Sequence, residues 1–254
     1  MNAQLGVSKA EQSATPVQPS SAQCPAYDLN FGQAGTETAW AFMDAAPHKL
    51  HRTDHTVPAR RTICREQDLH DAVPVIVTGW AASIVMLSDG SRQILSFLLP
   101  GDIVSTALLF EPRPHCLVEA ITEVRYGTFQ RSELKDVIFR TPQLLEKLSR
   151  AWIEEKTRSD ELIVDLGRRT ADERIARLIL NLVDRLVKRD MARIDPLEVD
   201  FPLRQHHIAD ATGLTPVHVS KVLSEFRRNS LIRISERSLA ILDPAGFRHI
   251  ANTR

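Results

Sequence analysis

The chain has 254 residues, enough for two modest domains, and its 32 basic residues balance 32 acidic ones, which excludes a uniformly basic nucleic-acid coat. Cys24, Cys64 and Cys116 have no CxxC spacing and leave an odd thiol, so neither a disulfide framework nor a structural zinc site is expected. There is no charged leader with an apolar core and no apolar run of 18 residues, so the expectation is a cytoplasmic protein without membrane contact.

Residues 1–40 are rich in Gln, Ser, Ala, Thr and Pro and lack sustained periodicity. This composition predicts a largely disordered N-terminal arm, with a short ordered piece over 31–42. Residues 41–140 form the next domain, where from about Leu50 short apolar runs alternate with turn signals. Strands are expected at 73–77, 82–87, 93–99, 116–121 and 124–129, with Asp89-Gly90 as a hairpin turn and Pro100-Gly101-Asp102 as another. Many short strands joined by tight turns predict a small sandwich or barrel.

A long helix over 141–167 comes next, with Thr141 as cap and Pro142 at the first helical position. Leu145, Leu148, Trp152, Glu155, Ser159, Leu162 and Leu166 are spaced by alternating steps of three and four, and five of the seven are apolar. The stripe suits a coiled-coil dimerisation seam, and it equally suits a helix lying on its own β-domain. Gly167-Arg168-Arg169 breaks this helix, and Thr170-Ala171-Asp172-Glu173 is a capping box that opens another. The apolar face of that helix, Ile175, Leu178, Ile179, Leu182 and Leu186, is expected to pack on the remainder of the C-terminal domain.

Residues 168–254 are read as the last domain, and Gln205 to Ser224 carries its clearest signal. Ala209 is small enough for two helices to cross closely, Gly213 tolerates the left-handed backbone of a tight reversal, and Val219 closes the core between the helices with Ile208, Leu214, Val222 and Leu223. Thr215 can N-cap the second helix, with Pro216 at its first position. The spacing is that of a helix-turn-helix, a device for placing one helix in the DNA major groove. Behind it, residues 231–234 and 239–242 read as two strands around Ser235-Glu236-Arg237-Ser238, which makes a wing. From Leu203 to Arg254 eight Arg or Lys face four acids, a modest excess that suits a module meeting phosphate on one face.

The order of these parts resembles the Crp/Fnr family of bacterial transcription regulators over about residues 50–250. The residues that carry the likeness are TGWAAS and FLLPGD in the β-region, Leu166 to Leu180 at the hinge, and Ile208 to Ile232 in the reading head. The resemblance implies an α+β fold: an N-terminal cupin-like β-roll, a long dimerisation helix and a C-terminal winged helix-turn-helix. It implies a homodimer that binds double-stranded DNA at a two-fold symmetric operator and touches RNA polymerase. Matched to the family's reading head, Arg204 and Gln205 stand for the pair that meets DNA at the start of the first helix. Lys221 stands for the basic residue that reads a base edge, and Ser220 for its small polar neighbour. Pro216 and Val217 depart from the family pattern of a polar or basic residue followed by Glu. Val217 cannot accept from cytosine N4 but can touch a thymine methyl. His218 suits either the groove or solvent. Ser235 and Arg237 occupy wing positions from which members grip phosphate.

Members that bind cyclic nucleotides carry a Gly-Glu pair and, about ten residues on, an Arg-Ser pair in one loop. Here Ser105-Thr106 and Cys116-Leu117 take those places, so the charge partner of a cyclic phosphate is missing and dependence on cyclic AMP is not expected. An iron–sulfur cluster held by four cysteines is excluded, and no cofactor or metal is expected. His48, His51, His55 and His70 read either as ligands or as solvated loop residues, and Cys116 either as a redox-sensing thiol or as a buried inert one. Enzyme activity is not expected, because the predicted strands at 73–99 hold no histidine and neither a glycine-rich phosphate loop nor a Gly-x-Ser-x-Gly elbow is present. The alternative to a DNA-binding regulator is a dimeric sensor or adaptor whose winged helix binds protein.

Overall fold

The computed structural model describes residues 50–252 except Gln67, Asp195 and Pro196. The arm expected over 1–40, the piece at 31–42, Cys24 and His48 lie outside the described residues.

Seven strands build the β-roll: β1 Arg52–Val57, β2 Thr62–Cys64, β3 Ala72–Thr78, β4 Ala81–Met86, β5 Arg92–Leu98, β6 Leu117–Ala120 and β7 Val124–Gln130. They form two antiparallel sheets, β1-β7-β3 and β2-β6-β4-β5. Asp89-Gly90 makes the β4–β5 hairpin, with Gly90 at φ 85° and the Asp89 carboxylate accepting from the Ser91 N–H and hydroxyl at 2.8 and 2.6 Å. Gly79, at φ 86°, turns β3 into β4 where an added Cβ would lie 2.1 Å from the Glu123 carbonyl oxygen, so only glycine fits. Ile63, Cys64, Ile76, Ala81, Val104, Val118 and Val124 fill the space between the sheets.

A helix absent from the sequence reading, α1 Arg131–Arg140, precedes the long helix α2 Pro142–Arg168. Leu134, Val137 and Ile138 are spaced to make one apolar face of α1, which packs with Leu144 and Leu148 of α2 on Val73, Val75, Leu108, Leu109 and Phe129. Leu148 is therefore a core residue of its own chain and not a free seam position. Glu155 is exposed, and its carboxylate accepts from the buried Thr106 hydroxyl at 2.8 Å. Leu162 and Leu166 are half-buried, and Leu166 lies against Gly213. Of the expected stripe, Leu145, Trp152, Glu155 and Ser159 remain on the outside. The large apolar side chains that α2 presents to solvent are Leu145, Trp152, Ile153, Ile163 and Val164. Steps of seven and eleven residues put these on one side of a helix, as two and three full turns.

Gly167 and Arg168 are still helical, and the chain turns one residue later, at Arg169 (φ −96°, ψ 153°). Here the Asp165 carboxylate accepts from Arg177 at 2.7 Å and pairs with Arg169 at 2.9 Å. The expected capping box is present: Glu173 accepts from the Thr170 N–H at 2.7 Å and the Thr170 hydroxyl accepts from the Glu173 N–H at 3.4 Å. It opens α3 Ala171–Val187, then β8 Ala192–Ile194, β9 Leu197–Asp200, α4 Gln205–Thr212, α5 Pro216–Arg228, the wing strands β10 Ile232–Ser235 and β11 Ser238–Ile241, and α6 Pro244–Ala251. The wing is not a bare hairpin: its sheet has the order β10-β11-β9-β8.

The reading head shares a core with the β-roll. Trp80, Ala82, Ile84, Ile94, Phe97 and Leu99 are buried in one cluster with Ile175, Ile179, Phe201, Ile208 and Val219, and Trp80 meets Phe201 edge-on at 6.3 Å. Among the described residues no helix is long and apolar enough to cross a membrane.

Candidate nucleic-acid interface

The helix pair forms as its spacing predicts. Ala209 and Val219 are buried at the crossing, and Gly213, at φ 66° and ψ 32°, caps α4 with its N–H donating to the Ala209 carbonyl. The Thr215 hydroxyl accepts from the His218 N–H at 3.3 Å, and Pro216 occupies the first position of α5. Val219, Val222, Leu223 and Phe226 face inward, which leaves Pro216, Val217, His218 and Lys221 exposed. Val217 is 81% exposed, a bare branched side chain at the tip of the second helix.

Arg204 and Gln205 lie at the start of α4 and are exposed beside α5. The Gln205 amide donates to the Ser220 hydroxyl at 3.3 Å, so two of the expected contact residues orient each other across the helix pair. The wing residues Ser235 and Arg237 are exposed, and Arg237 pairs at 3.6 Å with Asp200. Among the described residues no carboxylate pairs with Arg204, Lys221 or Arg233. Two helix N-termini and these unneutralised cations make one face that favours an anion.

Sequence reasoning passed over His206 and His207. His206 is exposed next to Gln205, and its ring stands 4.0 Å from that of His207. The His207 Nδ1 accepts from the Arg204 N–H at 3.1 Å, which ties down the helix start. Burial, followed by the charges of His206, Arg92, Arg204 and Arg60, holds His207 down at about 4. An unfolded histidine titrates near 6.5, so the unfolded chain takes this proton first. Stability is expected to fall as pH drops from about 6.5 toward 4 and to gain nothing from this group above that window. Denaturant titrations at stepped pH on wild type and His207→Gln check this: the substitution should flatten the slope.

The other sensor candidates gather no recognisable ligand set. Thr106 and Cys116 do occupy one region, but the Thr106 hydroxyl is spent on Glu155, and the Cys116 Sγ lies 2.8 Å from the Ser83 hydroxyl. Burial raises the Cys116 thiol against the lowering effect of Ser83, and the nearby Glu155 and Glu66 raise it further. Burial pushes Cys64 up to about 12. Both settings disfavour a thiolate, the opposite of what a redox-sensing cysteine needs. His55 stacks on Tyr126 at 5.0 Å and meets the Thr128 hydroxyl at 3.1 Å, whereas His51 is exposed and His70 is partly buried. Among the described residues no group of three or more His, Cys, Asp or Glu is placed to hold a metal ion.

Residues 54–141 match the cyclic nucleotide-binding domain family, and residues 173–250 match the Crp-like helix-turn-helix domain family. The chain is 31% identical over 190 residues to the nitrogen fixation regulation protein FixK of Bradyrhizobium diazoefficiens, covering 75% of this chain and 78% of that protein. It is 30% identical over 194 residues to the transcriptional activatory protein AadR of Rhodopseudomonas palustris, covering 76% and 78%. Among solved structures, FixK2 from Bradyrhizobium japonicum superposes with a TM-score of 0.70 at 27% identity, covering 79% of this chain and 98% of that one.

Proposed function

Since this chain belongs to the Crp/Fnr family of dimeric, DNA-binding transcription regulators, we propose that it reads a two-fold symmetric operator without a cyclic nucleotide. The observation that carries this reading is the exposed face of α4 and α5, where Arg204, Gln205, Ser220 and Lys221 stand together and Arg204 and Lys221 keep their charge unneutralised. In this reading α5 lies in the major groove. Lys221 reads a base edge, Val217 touches a thymine methyl, Thr215, Pro216 and His218 border the groove, and Ser235 and Arg237 grip phosphate from the wing. The outer face of α2 joins the two subunits and sets their recognition helices about 34–36 Å apart, one turn of DNA. Contact with RNA polymerase in the cytoplasm completes the proposal, which includes no catalytic role.

Independence from cyclic nucleotide is supported by the loop around Thr106 and Cys116. Glu155 and Glu66 stand near it where a cyclic phosphate would need a guanidinium. The test is selection of binding sites from a randomised duplex library with the full-length, reduced protein and no added ligand. A two-fold symmetric site should be enriched, and Lys221→Glu should lower affinity for it by at least about 10–100-fold, the range expected when one base contact is lost. Absence of enrichment, or a Lys221→Glu protein that binds as wild type does, would sink the proposal.

A further inference from the structure

We propose that Arg92, on β5, is a positioning residue for DNA reading: it touches no DNA itself but clamps α4 to the β-roll through Asp210, at the angle that fits the two recognition helices to one operator spacing. This rests on the reading that α4 and α5 bind DNA.

α4 lies against β5, and consecutive residues of that strand hold it. The Arg92 guanidinium stands between the Glu119 carboxylate on β6, at 3.2 Å, and the Asp210 carboxylate on α4, at 3.9 Å. Next to it, the Gln93 amide donates to the Ala211 carbonyl at 3.4 Å. Asp210 and Ala211 directly follow Ala209, the residue at the crossing with α5, so the clamp grips α4 where the recognition helix leans on it. With carboxylates on two sides and only 33% of its side chain exposed, Arg92 is not placed to grip phosphate as Arg204 and Lys221 are.

The other attachments of the head do not set this angle. The apolar cluster that Ala82, Ile84 and Ile94 share with Ile208, Ala209 and Ala211 is non-directional, and Asp102 grips α3 rather than α4. An ion pair and an amide contact have direction and so fix register. The Arg92 Nε–H is buried, makes no hydrogen bond and faces the Asp210 carboxylate. A hydrogen bond closes at about 2.9 Å, so a shift of α4 by about 1 Å toward β5 closes this pair and a shift away breaks it. The Glu119 charge also reaches Asp210, so without Arg92 the two carboxylates repel and push α4 off the strand. In a dimer joined along α2, the seating of α4 on β5 is carried directly into the distance between the two recognition helices.

The test compares full-length wild type, Arg92→Gln and Asp210→Asn on a single half-site, on the selected operator, and on operators one base pair longer or shorter between the half-sites. Both variants should bind the single half-site as wild type does, with the same salt dependence, because no DNA contact is lost. On the selected operator each should lose about 5–30-fold, since the clamp is lost in both subunits, and its preference over the shifted spacings should shrink by the same factor. The double variant should be no weaker than the weaker single one, and Arg92→Lys, which keeps the charge, should fall between wild type and Arg92→Gln. A weaker half-site with a salt slope smaller by about 1 would mean a phosphate contact and overturn the positioning role. Equal losses on every duplex, with a lower melting temperature, would mean a merely structural one and overturn it too. Wild-type spacing preference in both variants would overturn the clamp and leave the reading of the head intact. A wild-type chain that binds no duplex would overturn that reading, and this proposal with it.

Discussion

Ile163→Asp is expected to convert the dimer into folded monomers at micromolar concentration. Ile163 is 69% exposed in the single chain, and Leu145, Trp152, Ile153 and Val164 lie on the same side of α2. Lys156 and Asp160, between them, pair with each other one turn apart. A soluble chain leaves such a strip bare only where something covers it, and in a two-fold dimer the covering surface is the same strip of the partner. Burying one isoleucine is worth about 1.5–3 kcal/mol, and symmetry counts every substitution twice. A loss of about 3–6 kcal/mol raises the dissociation constant by roughly 10²–10⁴-fold. Sedimentation velocity across a concentration series checks this, with circular dichroism to confirm that the monomer is folded. Leu148→Asp is the informative contrast, because Leu148 is only 4% exposed and sits in the core with Val73 and Phe129. That substitution should unfold the β-roll, whereas an Ile163→Asp protein that stays dimeric would refute the outer strip as the seam.

The second large effect is expected at Asp102. Its carboxylate accepts from the Leu99 N–H at 2.7 Å, from Arg185 at 2.6 Å and from Arg189 at 2.5 Å, and Arg189 also donates to the Pro100 carbonyl at 3.0 Å. Burial alone would raise this carboxyl, but the two guanidiniums overrule it and hold it below the ordinary range. Burial likewise draws Arg185 down to about 10. Asp102→Ala leaves two buried guanidiniums and one N–H without their acceptor, and removing one partner of such a pair costs about 3–5 kcal/mol. Because Asp102 belongs to the β-roll and Arg185 to α3, the loss should also loosen the reading head, seen as faster amide exchange in α3 and β5. Asp102→Asn keeps the shape and one acceptor, and should fall between wild type and Ala. The folded-state titration of Asp102 is depressed, so its contribution is present in full above the unfolded value of about 4 and is lost as pH falls from there through the lower folded-state value. A stability loss under about 1 kcal/mol in Asp102→Ala would show that the pair does not hold the two parts together.

What the chain determines by itself is the set of features closed within a few residues. The Thr170–Glu173 box, the Asp89-Gly90 hairpin, the Thr215-Pro216 helix start and the Ala209, Gly213, Val219 spacing all arise from local sterics and hydrogen bonds, and each forms as read. The reading head was therefore legible in detail. Helix α1 was legible in principle, since Leu134, Val137 and Ile138 have helical spacing, but ten residues between a strand and the cap of the next helix gave too short a period to stand out. The sidedness of α2 was not legible. Leu145 and Leu148 lie about 60° apart on a helix, as three steps of 100° require. Which of them turns inward depends on α1 and β3 beneath, and nothing in α2 itself distinguishes them. The same holds for Asp102 with Arg185, 83 residues apart, and for Arg92 with Asp210. Ion pairs and basic edges between distant segments leave no period in a sequence, and burial, which decides the state of Cys116 and His207, exists only once the segments have met.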